Sequence, residues 1–577
     1  MDSSWITEYN SLSELKEDFK DNALALFALW LRFGIDDLKS VGIDAITDGA
    51  QDKKLDMVYI NAEEHFAVVS QCYFSSKEAT CAKANKASDL NTALVWLLQM
   101  DVSDIPKQIE SATINLRNEI KEGNINKLYI WYVHNLPESD NIKKELSAVN
   151  KCLNTILADE YGEIKIATIV EEVGKNTLQE WYESCKTPII MNEEVSFDIN
   201  GGYDIKEKNW VAYSTAIKAR DIARLYKKHQ NKLFSANIRD YLGSRNSNSN
   251  INNGIKQTID QERENFWVYN NGITLLTNRF KVHENKITLS GMSIVNGAQT
   301  TGAIGSNKKL PENNALIHVR IIEVTNKRTD LIEKIIWYNN SQNQVEAADF
   351  RSTDKIQIKL KKEFDSIKYA KYEAGRRGSS TDKIKRKSAE LGSYYVGQAL
   401  TAFHGDPITA YNKKREIWSN NTLYNRAFNE LTSAEHIIFC CTLIKAIENI
   451  QLEYKKKTSL TPKEEENLSF LRKRGAKYLF AYAVSYCIEK AFFKRTNIYT
   501  IYFNNITSLN DALSNWYSVL KVLVPFCTNS LNQALSNGLK NTREIDNGVK
   551  NFLDSVSAFF NVAPDDTIKN FISKIKC

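Results

Sequence analysis

FWVYNNGITLLTNRFKVHENKITLSGMSIVNGAQTTGAI, residues 266–304, decides how the middle of this chain folds. It carries two Asn-Gly pairs, Asn271-Gly272 and Asn296-Gly297, each following a β-branched run, and the second opens into Gln299, Thr300 and Thr301. Asn-Gly reaches positive φ at little cost, so each pair marks a sharp reversal. Val268, Ile273, Leu275, Ile287, Leu289, Ile294 and Val295 read as short strands between those reversals. The reading is a β-rich core with amide and hydroxyl side chains at its turns.

Outward from this stretch, 577 residues exceed what one hydrophobic core organises, which predicts two to four domains. A net charge of +6 is small for that length, so only local basic clusters bear on nucleic-acid contact. The 9 cysteines are scattered, with Cys440 beside Cys441 and no C-x-x-C pair. That fits neither a zinc site nor a disulfide framework and predicts a reducing, cytoplasmic setting. The start MDSSWITEYN lacks a secretory pattern, and the apolar run 23–35 contains Arg32 and is too short to cross a bilayer. A soluble chain without a membrane partner is expected.

Toward the N-terminus, residues 12–31 have apolar side chains at helical spacing and predict one buried-face helix. Runs 55–60 and 66–74 predict a β-hairpin around the polar turn 61–65. Helix over 83–100, strand over 127–133, helix over 142–157 and strand over 164–170 then make an α/β domain. Its chemistry centres on the hairpin, where Asp44, Asp48, Asp52 and Asp56 precede or open the first strand and Gln71 stands on the second. Period two puts Val69, Gln71 and Tyr73 on one face and Cys72 on the other. An acid on one strand and an acid or amide on the next share a divalent metal near a scissile phosphate, with a lysine completing the set.

This arrangement resembles the PD-(D/E)xK nuclease core in its Mrr-like Q-x-K form. The resemblance implies Asp52, Asp56 and Gln71 as catalytic residues, with Asp56 and Gln71 holding Mg2+. Tyr73 stands where the lysine belongs, so Lys77, Lys83 or Lys86 must supply the amine, Lys77 being the nearest in sequence, or the site no longer cuts. The other reading makes 48–56 a solvated loop and Gln71 an ordinary strand residue.

Between residues 186 and 210 the α/β pattern stops, and Pro188, Gly201 and Gly202 punctuate the change. Residues 212–234 read as a basic helix, and the Asn/Ser-rich stretch 244–250 as an exposed loop. Then NIRDYLG, with Arg239, FWVYNNGIT, SIVNGAQTT and YNNSQNQV follow in order, continuing through AADFRSTDKIQIKLKKEF and KYEAGRRG to LGSYYVGQALTAFHGDP. Over roughly residues 233–407 the chain resembles the AIPR family, the abortive-infection phage-resistance proteins of bacteria. The resemblance implies antiphage defence and an N-terminal nuclease-like domain.

Residues 293–304 read as strand, turn and helix start, with Gln299, Thr300 and Thr301 in the first helical turn. Free N–H groups there favour a phosphate, although no P-loop motif is present, so a nucleotide of unspecified identity or a nucleic-acid phosphate is the expected ligand. Asn270, Asn271, Asn296, Asn339, Asn340, Gln342 and Asn343 add amides that pair with base edges or with their own turns. Arg320 faces such a site or is an ordinary surface arginine.

YAKYEAGRRGSSTDKIKRK, residues 369–387, gathers Lys371, Arg376, Arg377, Lys383, Lys385, Arg386 and Lys387 around a Gly/Ser turn with tyrosines nearby. It is the chain's best nucleic-acid patch, or else a solvated basic loop. Beyond Pro407, apolar residues three and four apart predict helices over 434–450, 462–471, 476–493, 509–523, 545–560 and 567–575. His436 with Cys440 and Cys441 reads as core, and Phe503 with 516–524 as packing surface or an assembly interface.

The expected architecture is a multidomain α/β chain: a restriction-endonuclease-like α/β domain over 1–187, a central α+β domain over 188–407 and a helical bundle over 408–577. The expected activity is a Mg2+-dependent nuclease effector or a nucleic-acid-binding sensor. The alternatives are an inactive nuclease fold serving as a sensor or scaffold, and a nucleotide-binding protein. Expected partners are DNA or RNA, a phage trigger or partner protein, and further copies of the chain.

Overall fold

The structure, a computed structural model, describes residues 4–35, 37–49, 51–162, 164–186, 189, 191–237, 249–307, 310–312, 315–325, 329–340, 348, 351, 354–373, 389–493, 496–536, 538–562 and 566–576. Pro188, Arg239, residues 244–248, Gln342, Asn343, Arg376, Arg377, Lys383, Lys385, Arg386 and Lys387 lie outside the described residues.

Residues 12–31 do not form the one expected helix. After α1 Trp5–Ser11 they divide between α2 Ser13–Phe19 and α3 Ala23–Phe33, with Lys20 at φ 51 turning the chain between α2 and α3. The apolar spacing misled because α3 is buried on every side from Ala23 to Leu29, so any helical phase matches it. After α4 Leu38–Ala45 comes a sheet of four strands: β1 Met57–Asn61, β2 Phe66–Tyr73, β3 Lys127–His134 and β4 Ala167–Val173. The expected hairpin forms, with β1 antiparallel to β2, and β2, β3 and β4 run parallel. Parallel neighbours need long crossovers. These are α5 Ala84–Leu98 and α6 Lys107–Lys121, the latter missed in the sequence, and then α7 Asp140–Tyr161.

One face of this sheet packs Val58, Ala67, Val69, Leu128, Ile130 and Tyr132 against α5, α6 and α7. The other packs Met57, Val68, Cys72, Tyr129, Trp131 and Val133 against α3 in a cluster that continues into the next sheet through Ile217, Ile273, Leu275, Ile294 and Ile321.

That second sheet has seven strands: β5 Met191–Asp198, β6 Gly202–Lys206, β7 Trp210–Lys218, β8 Ile273–Thr277, β9 Arg279–His283, β10 Lys286–Asn296 and β11 Leu316–Val324. Their order is β5-β10-β8-β11-β7-β6, with β9 also on β10. Five of the seven predicted strand residues, Ile273, Leu275, Ile287, Leu289 and Ile294, are buried in its shared core, and Val295 is buried on its opposite face. Val268 is not on a strand: it lies 72% exposed on the short helix Phe266–Tyr269, of which only Phe266 is buried.

Both predicted glycines take positive φ, Gly272 at 83° and Gly297 at 92°. They launch β8 and the helix Ala298–Gly305 respectively, while the tight reversal between β9 and β10 falls at Glu284.

From residue 393 onward the chain is almost wholly helical, including Ala434–Lys456, Pro462–Leu471, Ala476–Cys487, Leu509–Leu523, Thr542–Val562 and Asp566–Ser573. One apolar cluster joins these helices and extends back to Leu360 and Phe364. His436 is buried in it as expected, its Nδ1 2.7 Å from the Ile501 carbonyl and its Nε2 2.9 Å from Nε2 of a second buried histidine, His404. No helix among the described residues is long and apolar enough to cross a membrane.

Candidate functional site

The acidic loop folds back on the start of β1. Thr47 N–H donates to Asp56 O at 3.0 Å, Thr47 Oγ1 donates to Leu55 O at 2.5 Å, and Ile46 bridges Met57. This doubling returns Asp48 to the mouth of the strand. Asp52 turns inward because its own carboxylate accepts from Gly49 N–H at 3.2 Å and Lys54 N–H at 2.9 Å. Ligand oxygens of Asp48, Asp52 and Asp56 consequently lie within 4.8 Å of one another, the one such group among the described residues.

Gln71 closes the inner side. Its Nε2 donates to Asp56 Oδ2 at 2.7 Å, and the Cys72 N–H donates to the same oxygen at 2.6 Å. Gln71 is 2% exposed, and its Oε1 is buried without a hydrogen-bond partner. A buried carbonyl left unpaired costs about 1–3 kcal/mol. Three convergent carboxylates beside such a carbonyl are an oxygen donor set suited to Mg2+ or Mn2+.

The electrostatics agree with that demand. Burial pushes the Asp56 carboxyl up to about 7; the Cys72 N–H opposes the rise, Asp48 and Asp52 add to it, and Lys86 again opposes it. Asp48, at the exposed rim, is also raised, first by partial desolvation and next by Asp52, while Asn22 and Lys20 pull it down. A cation would relieve this crowding.

Among the lysines, Lys77 is exposed, and its backbone N–H donates to Ser75 Oγ at 3.2 Å. Lys83 Nζ lies 5.6 Å from the centre of the Tyr73 ring, and Lys53 and Lys54 are occupied by Trp96 and Asp89. Lys86, on α5, is the lysine whose charge acts on Asp56. Lys20 and Asn22, in the turn between α2 and α3, were missed; neither stands in a motif, and only the break at Lys20 brings them over Asp48.

Asp44 is not in this cluster. It pairs with Lys477 at 2.9 Å, and Lys477 also reaches Glu448 at 2.8 Å and Ser40 at 2.9 Å. Burial alone would lower the Lys477 ammonium, but Asp44 and Glu448 outweigh it and hold it well above the usual lysine range. Lys455 Nζ donates to Ile43 O at 2.6 Å and Ile46 O at 3.3 Å. The helical region thus grips α4 immediately before Asp48.

A second cluster gathers the sequence motifs of the middle sheet. Asn270 donates to Thr300 Oγ1 at 3.1 Å and accepts from Gly272 N–H at 2.9 Å, and Thr301 Oγ1 donates to Gly297 O at 3.0 Å. Arg320 Nη2 donates to Thr274 Oγ1 at 3.1 Å and Asn339 Oδ1 at 2.6 Å. A Cβ on Gly272 would sit 2.5 Å from His318 O, and one on Gly297 2.8 Å from Gly272 O. Asn270, Thr300, Thr301 and both glycines therefore hold the turns together, whereas the Asn271, Asn296 and Gln299 side chains make no hydrogen bond among the described residues. Of the basic segment, Lys371 is described, exposed at the start of a short strand paired with Glu390–Gly392.

A family model described as AIPR protein matches residues 234–535, more than half of the chain and well past Pro407 into the helical region. No curated protein and no solved structure matches the chain.

Proposed function

Because the chain belongs to the AIPR protein family, we propose that it is an antiphage abortive-infection protein whose N-terminal domain is a restriction-endonuclease-like, metal-dependent nuclease. The observation that carries the catalytic part is the clustering of Asp48, Asp52 and Asp56, with Gln71 bonded to Asp56 through Nε2 and its own Oε1 buried without a partner. An antiparallel hairpin bearing these groups, followed by a helical crossover and a parallel strand, is also the order that such a nuclease core requires.

Asp56 and Gln71, with Asp48 and Asp52, would hold Mg2+, which supplies Lewis-acid stabilisation of the phosphoryl oxygens when bound. Asp56 must first give up its proton. The Lys86 charge acts on the same carboxylate from α5, which makes Lys86 the residue to offset negative charge developing on the phosphate, the role left open at Tyr73. The backbone N–H of Cys72 and the amide of Gln71 fix the Asp56 carboxylate in one orientation.

The test is nicking of DNA and of RNA by the full chain with Mg2+ or Mn2+, wild type against Asp56→Ala and Lys86→Ala. Cleavage lost in both variants supports the assignment; equal cleavage by Asp56→Ala excludes this site. A second reading, a non-cutting scaffold that senses a phage trigger, is favoured by Tyr73 in the lysine position with Lys83 against its ring. Mn2+ bound at the cluster without cleavage of any nucleic acid would select it.

A further inference from the structure

The register of the middle sheet lines up five polar side chains on one face. Asn296 pairs with Thr274, Thr274 with Arg320, Arg320 with Ser214 and Ser214 with Tyr203, straight across β10, β8, β11, β7 and β6. Directly paired residues point to the same side of a sheet. Four strand spacings make this row roughly 19 Å long.

The next row on the same face is apolar, Leu276, Ile322 and Ala212, and the helix Thr329–Asn340 covers it with Ile332, Ile335 and Ile336. Within the polar row Arg320 and Tyr203 are exposed, Asn296 and Ser214 are half-buried, and Thr274 is buried. Tyr203 at its outer end is 64% exposed. Beyond Arg320 on β11, His318 bonds Ser214 Oγ at 2.7 Å, and the Trp267 ring, 40% exposed, stands edge-on to it at 5.5 Å. Arg320 is itself exposed; Thr274 and Asn339 steady its Nη2, while Nε and Nη1 have no partner among the described residues. The row contains a guanidinium and no carboxylate.

We propose that this polar face of the middle sheet, through its exposed residues, binds single-stranded nucleic acid. Exposed aromatic rings give unpaired bases surfaces to stack on, the free guanidinium edge suits a phosphate, and the unbonded Asn296 amide offers a donor and an acceptor to a base edge. Four-stranded RNA-binding sheets hold two or three bases on such a face. A polar row of this kind lacks the continuous apolar surface that a packed protein helix needs, which the neighbouring row has and which is already covered. Duplex bases are stacked on one another and have no free face to offer.

The test is fluorescence anisotropy of short labelled single strands of DNA and of RNA, and of the matching duplexes, with the full chain in EDTA. Binding of at least one single strand more tightly than duplex is expected, and which one binds names the ligand. Tyr203→Ala and Trp267→Ala each weaken it about tenfold, within the range for loss of one stacked base, while Tyr203→Phe retains binding. Arg320→Gln lowers the slope of log affinity against log salt by about 0.7. Absence of single-strand binding, equal affinity for duplex, or unchanged affinity in the folded Tyr203→Ala and Trp267→Ala proteins overturns the proposal. EDTA keeps the acidic site out of the measurement, so failure of the nuclease reading leaves this result intact, and the reverse.

Discussion

Replacing Asp56 by Asn should stabilise the metal-free protein, increasingly so as pH rises. The carboxyl is 6% exposed, and burial pushes it up to about 7, against an unfolded value of about 3.9. Between those values the folded state holds a proton that the unfolded state has released, so stability falls as pH rises through the window. About three units at 1.36 kcal/mol each set an upper figure of roughly 4 kcal/mol at pH 8. Asn keeps an acceptor for the Gln71 Nε2 and the Cys72 N–H, and turns its own N–H groups toward Asp48 and Asp52, so no buried donor is orphaned.

The assay is calorimetric unfolding of both proteins in EDTA from pH 5 to pH 8. The advantage of Asn should grow by roughly 2–3 kcal/mol across that range. Adding Mn2+ at pH 8 should then raise the wild-type transition and leave Asp56→Asn nearly unmoved. A lower transition for the variant at pH 8, or an advantage independent of pH, would refute the account of Asp56 as a buried carboxylate awaiting a cation.

Mn2+ affinity of the wild type, measured by titration calorimetry, should fall about tenfold per pH unit below roughly pH 7 and level off above it, because the cation competes with the Asp56 proton. Lys477→Met leaves Glu448 buried without its counter-charge, held only by Ser40 Oγ among the described residues, and should cost about 3–5 kcal/mol in denaturant unfolding, with Glu448→Gln in the same chain recovering much of the loss. Gly297→Ala, at φ 92 with a Cβ 2.8 Å from Gly272 O, should lower stability by about 1–3 kcal/mol. His436 is held down to about 4 by burial, so as pH falls from 6.5 the unfolded state takes the proton first and stability is lost. Gln at that position should flatten the pH dependence of the urea midpoint by up to roughly 3 kcal/mol between pH 6.5 and 4.

The features legible in the sequence were those fixed by neighbours along the chain. The Met57–Asn61 and Phe66–Tyr73 hairpin follows from two β-prone runs around a polar turn, the positive φ of Gly272 and Gly297 from Asn-Gly, and the C-terminal helices from apolar spacing. Ordered motifs from Asn237 onward also fixed the family, because their order survives whatever the fold does with them.

The sites depend on contacts between distant residues, and those only the tertiary structure decided. Asp48 joins Asp52 and Asp56 because the loop doubles back through Thr47; the Lys86 charge acts on Asp56 because α5 packs on that side of the sheet; Lys20 and Asn22 act on Asp48 through a break in a pattern that looked continuous. The row from Asn296 to Tyr203 exists only in the register of five strands drawn from three separated stretches of chain. Local propensity sets where a strand runs, but long-range packing sets which strand lies beside it.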